Sequence, residues 1–174
     1  VGADDAGPFT EAISGSVPAE LLTTSPCPLA VVPRRETIAP ASAPVVVALD
    51  EPVSQAALAY GYATAARNGR PLTILRCATG GVFPEAAAIA QARLLMAFGE
   101  LYPGVPVSID VVPDDPRHAL VAASRRSAVL VLGSRGRGRL ASNLFGSVSR
   151  DLIRRSACPV VVARTQQTAV AMSR

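Results

Sequence analysis

Apolar positions along this chain fall into two alternating spacings. Short unbroken runs of Val, Leu, Ile and Ala read as strands buried on both faces. Longer Ala-rich stretches, with apolar residues three and four apart, read as helices. The regular series opens with a strand at Val45–Leu49 that ends at Asp50. Ser54 caps a helix that runs to Asn68, where Asn68-Gly69 stops it. Leu72–Cys77 is the next strand. A helix follows over Pro84–Leu101, with proline at the permitted first turn and Pro103-Gly104 closing it. Val107–Val112 is the third strand, and Asp115 caps a helix opened by Pro116 and running to about Arg126. Ala128–Leu132, Val148–Arg155 and Val160–Ala163 complete the series as strand, helix and strand. This strict alternation predicts an α/β fold, a parallel sheet with helices on both faces and right-handed crossovers.

The segment between the fourth strand and the last helix carries the chemistry. It reads GSRGRGRLASNLFGSVS from Gly133 to Ser149 and places Gly133, Gly136, Gly146 and Ser147 in the spacing G-x2-G-x9-G-S. Glycines just past a strand permit positive φ and close approach of the backbone to a bound group. N–H groups opening the following helix suit an anion, as do the hydroxyls of Ser147 and Ser149. The segment reads as a phosphate-holding loop, against the plainer alternative of a glycine-rich strand-to-helix connection.

That spacing, with the closing run GSVSRDLIRRSACPVVVAR, resembles the C-terminal signature of the universal stress protein family, and the resemblance covers roughly Pro44–Arg164. It implies a Rossmann-like five-stranded parallel sheet in the order 3-2-1-4-5, usually dimeric, whose ATP-binding members use this motif. The switch point of such a sheet lies between its first and fourth strands, where ligands bind at the strands' carboxyl ends. By the resemblance, Asp50 meets adenosine and the Cys77 backbone meets adenine. Leu132, Gly133, Ser134, Arg135, Gly136, Gly146, Ser147, Val148 and Ser149 surround the rest of the nucleotide. ATP, with Mg2+ as its companion cation, is the implied ligand. Two features stand beside that reading. Asp50 is also a turn-former before Pro52, and Glu51-Pro52 occupies the place where the family commonly has Gly-Ser.

The chain also repeats itself at an offset of 131, which lays Gly2 on Gly133, Gly15 on Gly146, Ser16 on Ser147, Leu21 on Leu152, Cys27 on Cys158 and Pro28 on Pro159. Residues 1–34 therefore read as the end of an earlier copy of the domain, within a truncated tandem protein. A linker follows over 35–43, a complete domain over 44–165 and a disordered tail over 166–174. In the first copy Asp5 replaces Gly136, Pro18 replaces Ser149, Asp4 replaces Arg135 and Glu11 replaces Ser142. Carboxylates repel phosphate and proline removes a donor, so this copy reads as structural. It predicts a helix over about Val17–Thr24 and a strand at Leu29–Val32. That strand is expected to pair with the fifth strand in an intramolecular pseudo-dimer, the alternative to a homodimer through the same edge.

Composition narrows the function. Hydrophobic residues make up 49% of the 174, enough for a core, while aromatics are only 4%. All basic residues are arginine, ten of them between Arg117 and Arg164 against the single acid Asp151. Without aromatic interleaving or a nucleic-acid motif, this basic third suits a small polyphosphate better than nucleic acid. No run reaches the ~18 apolar residues of a membrane span. Cys27, Cys77 and Cys158 lack metal spacing and read as reduced core cysteines of a cytoplasmic protein. His118 and Tyr60 and Tyr62 read as surface and packing residues respectively, and the Asp114-Asp115 pair as a helix cap rather than a metal site. Three function classes follow, in this order: an ATP-binding stress or signalling module without rapid turnover, a slow ATPase or related enzyme, and an interaction module with a vestigial site. No general base is evident beside the loop, so no catalytic residue is assigned.

Overall fold

The computed structural model describes residues 25, 27–33, 39–49, 53–78, 85–133 and 147–164. Its elements are β1 (Leu29–Val31), β2 (Val45–Leu49), α1 (Gln55–Asn68), β3 (Leu72–Cys77), α2 (Glu85–Leu101), β4 (Val107–Val112), α3 (Pro116–Ser124), β5 (Val129–Gly133), α4 (Ser147–Arg155) and β6 (Val160–Ala163). They form one sheet in the order β1-β6-β5-β2-β3-β4. From β4 to β6 every pairing is parallel and the order is the expected 3-2-1-4-5. The sheet has six strands rather than five, because β1 adds antiparallel beside β6.

Capping explains the helix bounds. The Ser54 hydroxyl accepts from Ala57 N at 3.3 Å, and Gly69 ends α1 in the left-handed region at φ 60°. Asp115 Oδ1 accepts from Arg117 N at 2.9 Å at the start of α3. That helix ends at Ser124, two residues before its expected end. Its last turn tightens there, with Arg125 N and Arg126 N bonding the carbonyls three residues back.

Alternation along the strands divides the core. Val45, Val47, Leu72, Ile74, Val131 and Val161 face α1, where Ala57, Leu58, Tyr62 and Ala65 bury against them. Val46, Leu75, Leu130, Leu132 and Val160 face the other way, onto Leu120 of α3 and Leu152 of α4. Tyr62 stacks on Phe98 and Tyr102 at centroid distances of 5.4 and 5.7 Å, a packing role as expected.

β1 meets β6 in a register that carries the repeat. Leu29 lies opposite Val162, Ala30 opposite Val161 and Val31 opposite Val160. An offset of 131 maps Leu29, Ala30 and Val31 onto Val160, Val161 and Val162. Exchanging the two strands therefore returns the same ladder, centred on Ala30 and its own equivalent. The preceding turns match as well. Ser25 Oγ donates to Cys27 O at 3.2 Å and accepts from Cys27 N, and Ser156 Oγ donates to Cys158 O at 2.7 Å and accepts from Cys158 N. Val31 and Val162 bury together beside Leu29 and Ile153, and an Arg164 guanidinium N–H donates to Ser25 O at 3.1 Å. Of the two fifth-strand arrangements expected, the described residues show the intramolecular one. The helix expected at 17–24 and the tail at 166–174 lie outside them.

This docking has a measurable consequence. In hydrogen exchange, a peptide carrying Leu29–Val31 is expected to exchange more slowly than an unstructured control but faster than one carrying Val160–Ala163, since β1 pairs on one side only and β6 on both. Exchange at the rate of an unstructured control peptide would show that β1 is not docked.

Candidate functional site

β2 and β5 are neighbours in the sheet, yet the chain leaves them toward opposite sides: β3 lies beyond β2, and β6 beyond β5. The crevice at their carboxyl ends is the switch point of the sheet. α1 and α4 begin beside it from opposite faces, since α1 packs on one core cluster and α4 on the other. Both helices therefore aim free N–H groups and the positive ends of their dipoles at the same crevice.

Gly133 is the last residue of β5, paired with Ala163, and its backbone has no positive φ. It is therefore not glycine for the sake of a positive φ. A Cβ there would lie 2.5 Å from Ser54 Cβ and 2.8 Å from Ser54 Oγ. The absent side chain lets the N-cap of α1 press against the end of β5. The close approach is between two parts of the protein, and it fixes where the N-terminus of α1 sits. Ser54 was legible in the sequence only as a cap. Its contact joins positions far apart in the chain, and no local pattern reports it.

Leu132 and Val148 come together in the cluster under the crevice, Leu132 fully and Val148 partly buried. Ser147 opens α4, and Ser149 is half-buried in its first turn. The sheet also sets the direction of Cys77. Val45 N donates to Pro71 O, and Leu72 N donates to Pro106 O. By strand alternation, the backbone of Cys77 is thus turned toward β2. Its carbonyl lies one position beyond Leu49–Arg76, the last β2–β3 pair among the described residues, at the carboxyl end of the sheet. The Cys77 thiol packs beside the second cluster. Burial raises its pKa, and the negative charges of Asp114 and Asp115 raise it further. The group therefore stays a neutral thiol, consistent with a packing role for the side chain and a polar role for the backbone. Asp50, Ser134, Arg135, Gly136 and Gly146 lie outside the described residues, as do Glu51 and Pro52.

Of the three cysteines expected in the core, Cys158 is buried and Cys77 half-buried, but Cys27 is exposed in the turn before β1. The other candidates keep to structural roles. Asp114 Oδ1 accepts from Asp115 N at 2.7 Å, and Asp115 pairs with Arg117 at 3.1 Å. Hydrogen bonds from Arg117 hold the Asp115 carboxyl below its ordinary pKa. Among the described residues no group of His, Cys, Asp and Glu is arranged to hold a metal, and no helix is long and apolar enough to cross a membrane. His118 is exposed on α3.

Comparison with known proteins places this geometry. A sequence model of the universal stress protein family matches residues 43–164. Universal stress protein Rv2005c of Mycobacterium tuberculosis is 33% identical over 94% of this chain and 60% of its own length. The chain thus spans about three-fifths of that relative. A universal stress protein structure from Archaeoglobus fulgidus superposes with a TM-score of 0.69 at 23% identity, over 94% of this chain and 59% of that one. A universal stress protein solved in complex with cAMP superposes at 0.52 with 26% identity, over 71% of this chain and 99% of that one.

Proposed function

Because the chain belongs to the universal stress protein family, we propose that its crevice binds ATP and that the protein works as a nucleotide-holding module in stress response or signalling. The observation that carries this reading is the convergence of two helix N-termini on the switch point, one of them following the complete G-x2-G-x9-G-S loop. The phosphates lie along Gly133, Gly136, Gly146, Ser147 and Ser149, with Ser134 and Arg135 in the same loop. The base lies toward β3, where the Cys77 carbonyl accepts from its exocyclic amine, and Asp50 meets the ribose. A universal stress protein with the same fold, solved in complex with cAMP, supports an adenine nucleotide as the ligand. Mg2+ accompanies the triphosphate, and the protein operates in the cytoplasm.

Turnover is slow or absent on this reading. Fast hydrolysis needs a group that positions and deprotonates the attacking water. The sole histidine sits exposed on α3, and Asp115 is committed to its cap. The test is to release bound nucleotide from purified protein by heat and identify it by mass, then follow ATP consumption. Recovery of ATP with negligible hydrolysis is expected. Sustained turnover near an ordinary enzyme rate of about 10 per second would contradict the module reading.

A further inference from the structure

Among the described residues the sheet has two open edges, at β1 and β4, and they are unlike. β1 contributes three residues, whereas β4 contributes six and is exposed along nearly its whole length. Val107, Ile109 and Val111 are 41%, 54% and 56% exposed. They share the face that carries α2, where Met96 is 67% exposed and a groove of ≈ 320 Å³ opens between Met96, Leu95 and Ile109. Edges of this length are ordinarily blunted by lysine, an internal proline, a bulge or a cover. β4 has an unbroken six-residue ladder to β3, and its sequence VSIDVV contains neither lysine nor proline.

The direction of its free backbone groups follows from the hydrogen bonds at its two ends. Leu72 N donates to Pro106 O at 2.8 Å, and Ala78 N donates to Val112 O at 2.9 Å. Even-numbered residues of β4 therefore turn their backbone groups to β3. The N–H and C=O of Val107, Ile109 and Val111 turn outward.

We propose that this edge pairs with the same edge of a second copy, antiparallel and centred on Ile109. In that register Ile109 meets Ile109, and Val107 meets Val111 of the second copy. All three outward residues then exchange backbone hydrogen bonds with their opposites. The two-fold axis runs perpendicular to the sheet, so the apolar side chains of both strands lie on one face between the two α2 helices and cover Ile109 and Met96. On the other face Ser108 meets Asp110 of the second copy as a non-hydrogen-bonded pair, where side chains approach closest. A hydroxyl thus faces a carboxylate. Shifting the centre to Asp110 sets the two carboxylates against each other and puts Val107 opposite Pro113, which has no N–H to give. Shifting it to Ser108 puts Val111 opposite Val105, whose N–H already donates to Tyr102 O at 3.1 Å. Charge and hydrogen bonding thus select one self-complementary register.

Sedimentation velocity across a wide concentration series tests the pairing, and disulfide trapping tests its register. The chain is expected to dimerise reversibly, and Ile109→Lys to weaken the dimer at least about tenfold, with circular dichroism confirming that the variant folds. For trapping, exposed Cys27 is replaced by serine. A mixture of chains carrying Ser108→Cys and Asp110→Cys is then expected to cross-link on mild oxidation, far more than either variant alone. Trapping decides the question by itself should Ile109→Lys fail to fold. A monomer at every concentration, a dimer indifferent to Ile109→Lys, or Asp110→Cys cross-linking to itself would each overturn the proposal.

Discussion

Gly61→Leu is expected to abolish cooperative folding, and Gly61→Ala to destabilise the protein despite alanine's better helix propensity. Gly61 lies inside α1, where glycine costs about 1 kcal/mol relative to alanine. A Cβ there would overlap Val47 Cγ2 and lie 3.5 Å from Leu72 Cδ1, in a cluster where Val47 and Leu72 have no exposed surface. Glycine is what lets the helix axis come down onto β2. Overpacking of this kind costs roughly 1–3 kcal/mol for one added methyl and more for a larger group. The net loss for alanine is therefore roughly 0–2 kcal/mol once the propensity gain is subtracted. Chemical denaturation measures it, and Val47→Ala supplies the control by removing the obstructing methyl. Gly61→Ala should cost less in the Val47→Ala background than in the parent, a coupling that a double-mutant cycle isolates. Equal costs in both backgrounds would show that the contact is not the reason for the glycine.

Gly133→Ala is expected to impair both stability and nucleotide binding, and Ser54→Gly to restore much of both. The added methyl would stand 2.5 Å from Ser54 Cβ, so either β5 or the N-terminus of α1 must shift. A cost of roughly 1–3 kcal/mol follows from the crowding. Displacing the cap from Ala57 N adds up to about 1 kcal/mol. Nucleotide affinity falls because α1 opens at the switch point, and a shifted terminus no longer aims its N–H groups into the crevice. Ser54→Gly removes the obstructing atoms and leaves an acceptable cap, costing only a few tenths of a kcal/mol. This pair separates two explanations of one glycine. If Gly133 is needed for packing against Ser54, the double variant regains binding. If a phosphate itself must approach the Gly133 backbone, binding stays lost in both variants.

These glycines mark the boundary between what was legible in the sequence and what was not. Strand and helix positions followed from periodicity, because burial imposes a repeat on every residue of an element. Val45–Leu49, Leu72–Cys77, Val107–Val112 and Val160–Ala163 stand at their expected bounds. The parallel order from β4 to β6 was legible through the family resemblance, and the seat of β1 through an internal repeat that a single offset exposes. Contacts across the fold were not legible. Gly133 carried a positive-φ expectation and proved to be a strand residue whose constraint comes from Ser54. Gly61 drew no reading from the sequence, and only the fold shows that its missing side chain makes room for Val47 of β2. The edge position of β4 was legible through the same resemblance, which ends its order at the third strand, but the expected burial on both faces was wrong: Val107, Ile109 and Val111 stay exposed. Of the candidate site, the spacing of the loop was readable directly. The convergence of α1 with α4, and the turning of the Cys77 carbonyl past Leu49, required the assembled sheet.

On the proposed function, the loop from Gly133 to Ser149 holds the phosphates of ATP. Isothermal titration calorimetry of ATP into the parent chain and into Gly136→Asp tests it most directly, because the substitution copies the residue found at the equivalent position of the first repeat, Asp5. A carboxylate placed among phosphate oxygens repels them across a few ångströms, where the interaction is strongest. Saturable binding to the parent and no measurable heat of binding to the variant are expected, with both proteins giving the same circular dichroism spectrum. Equal affinity for ATP in the two proteins would contradict the proposed function.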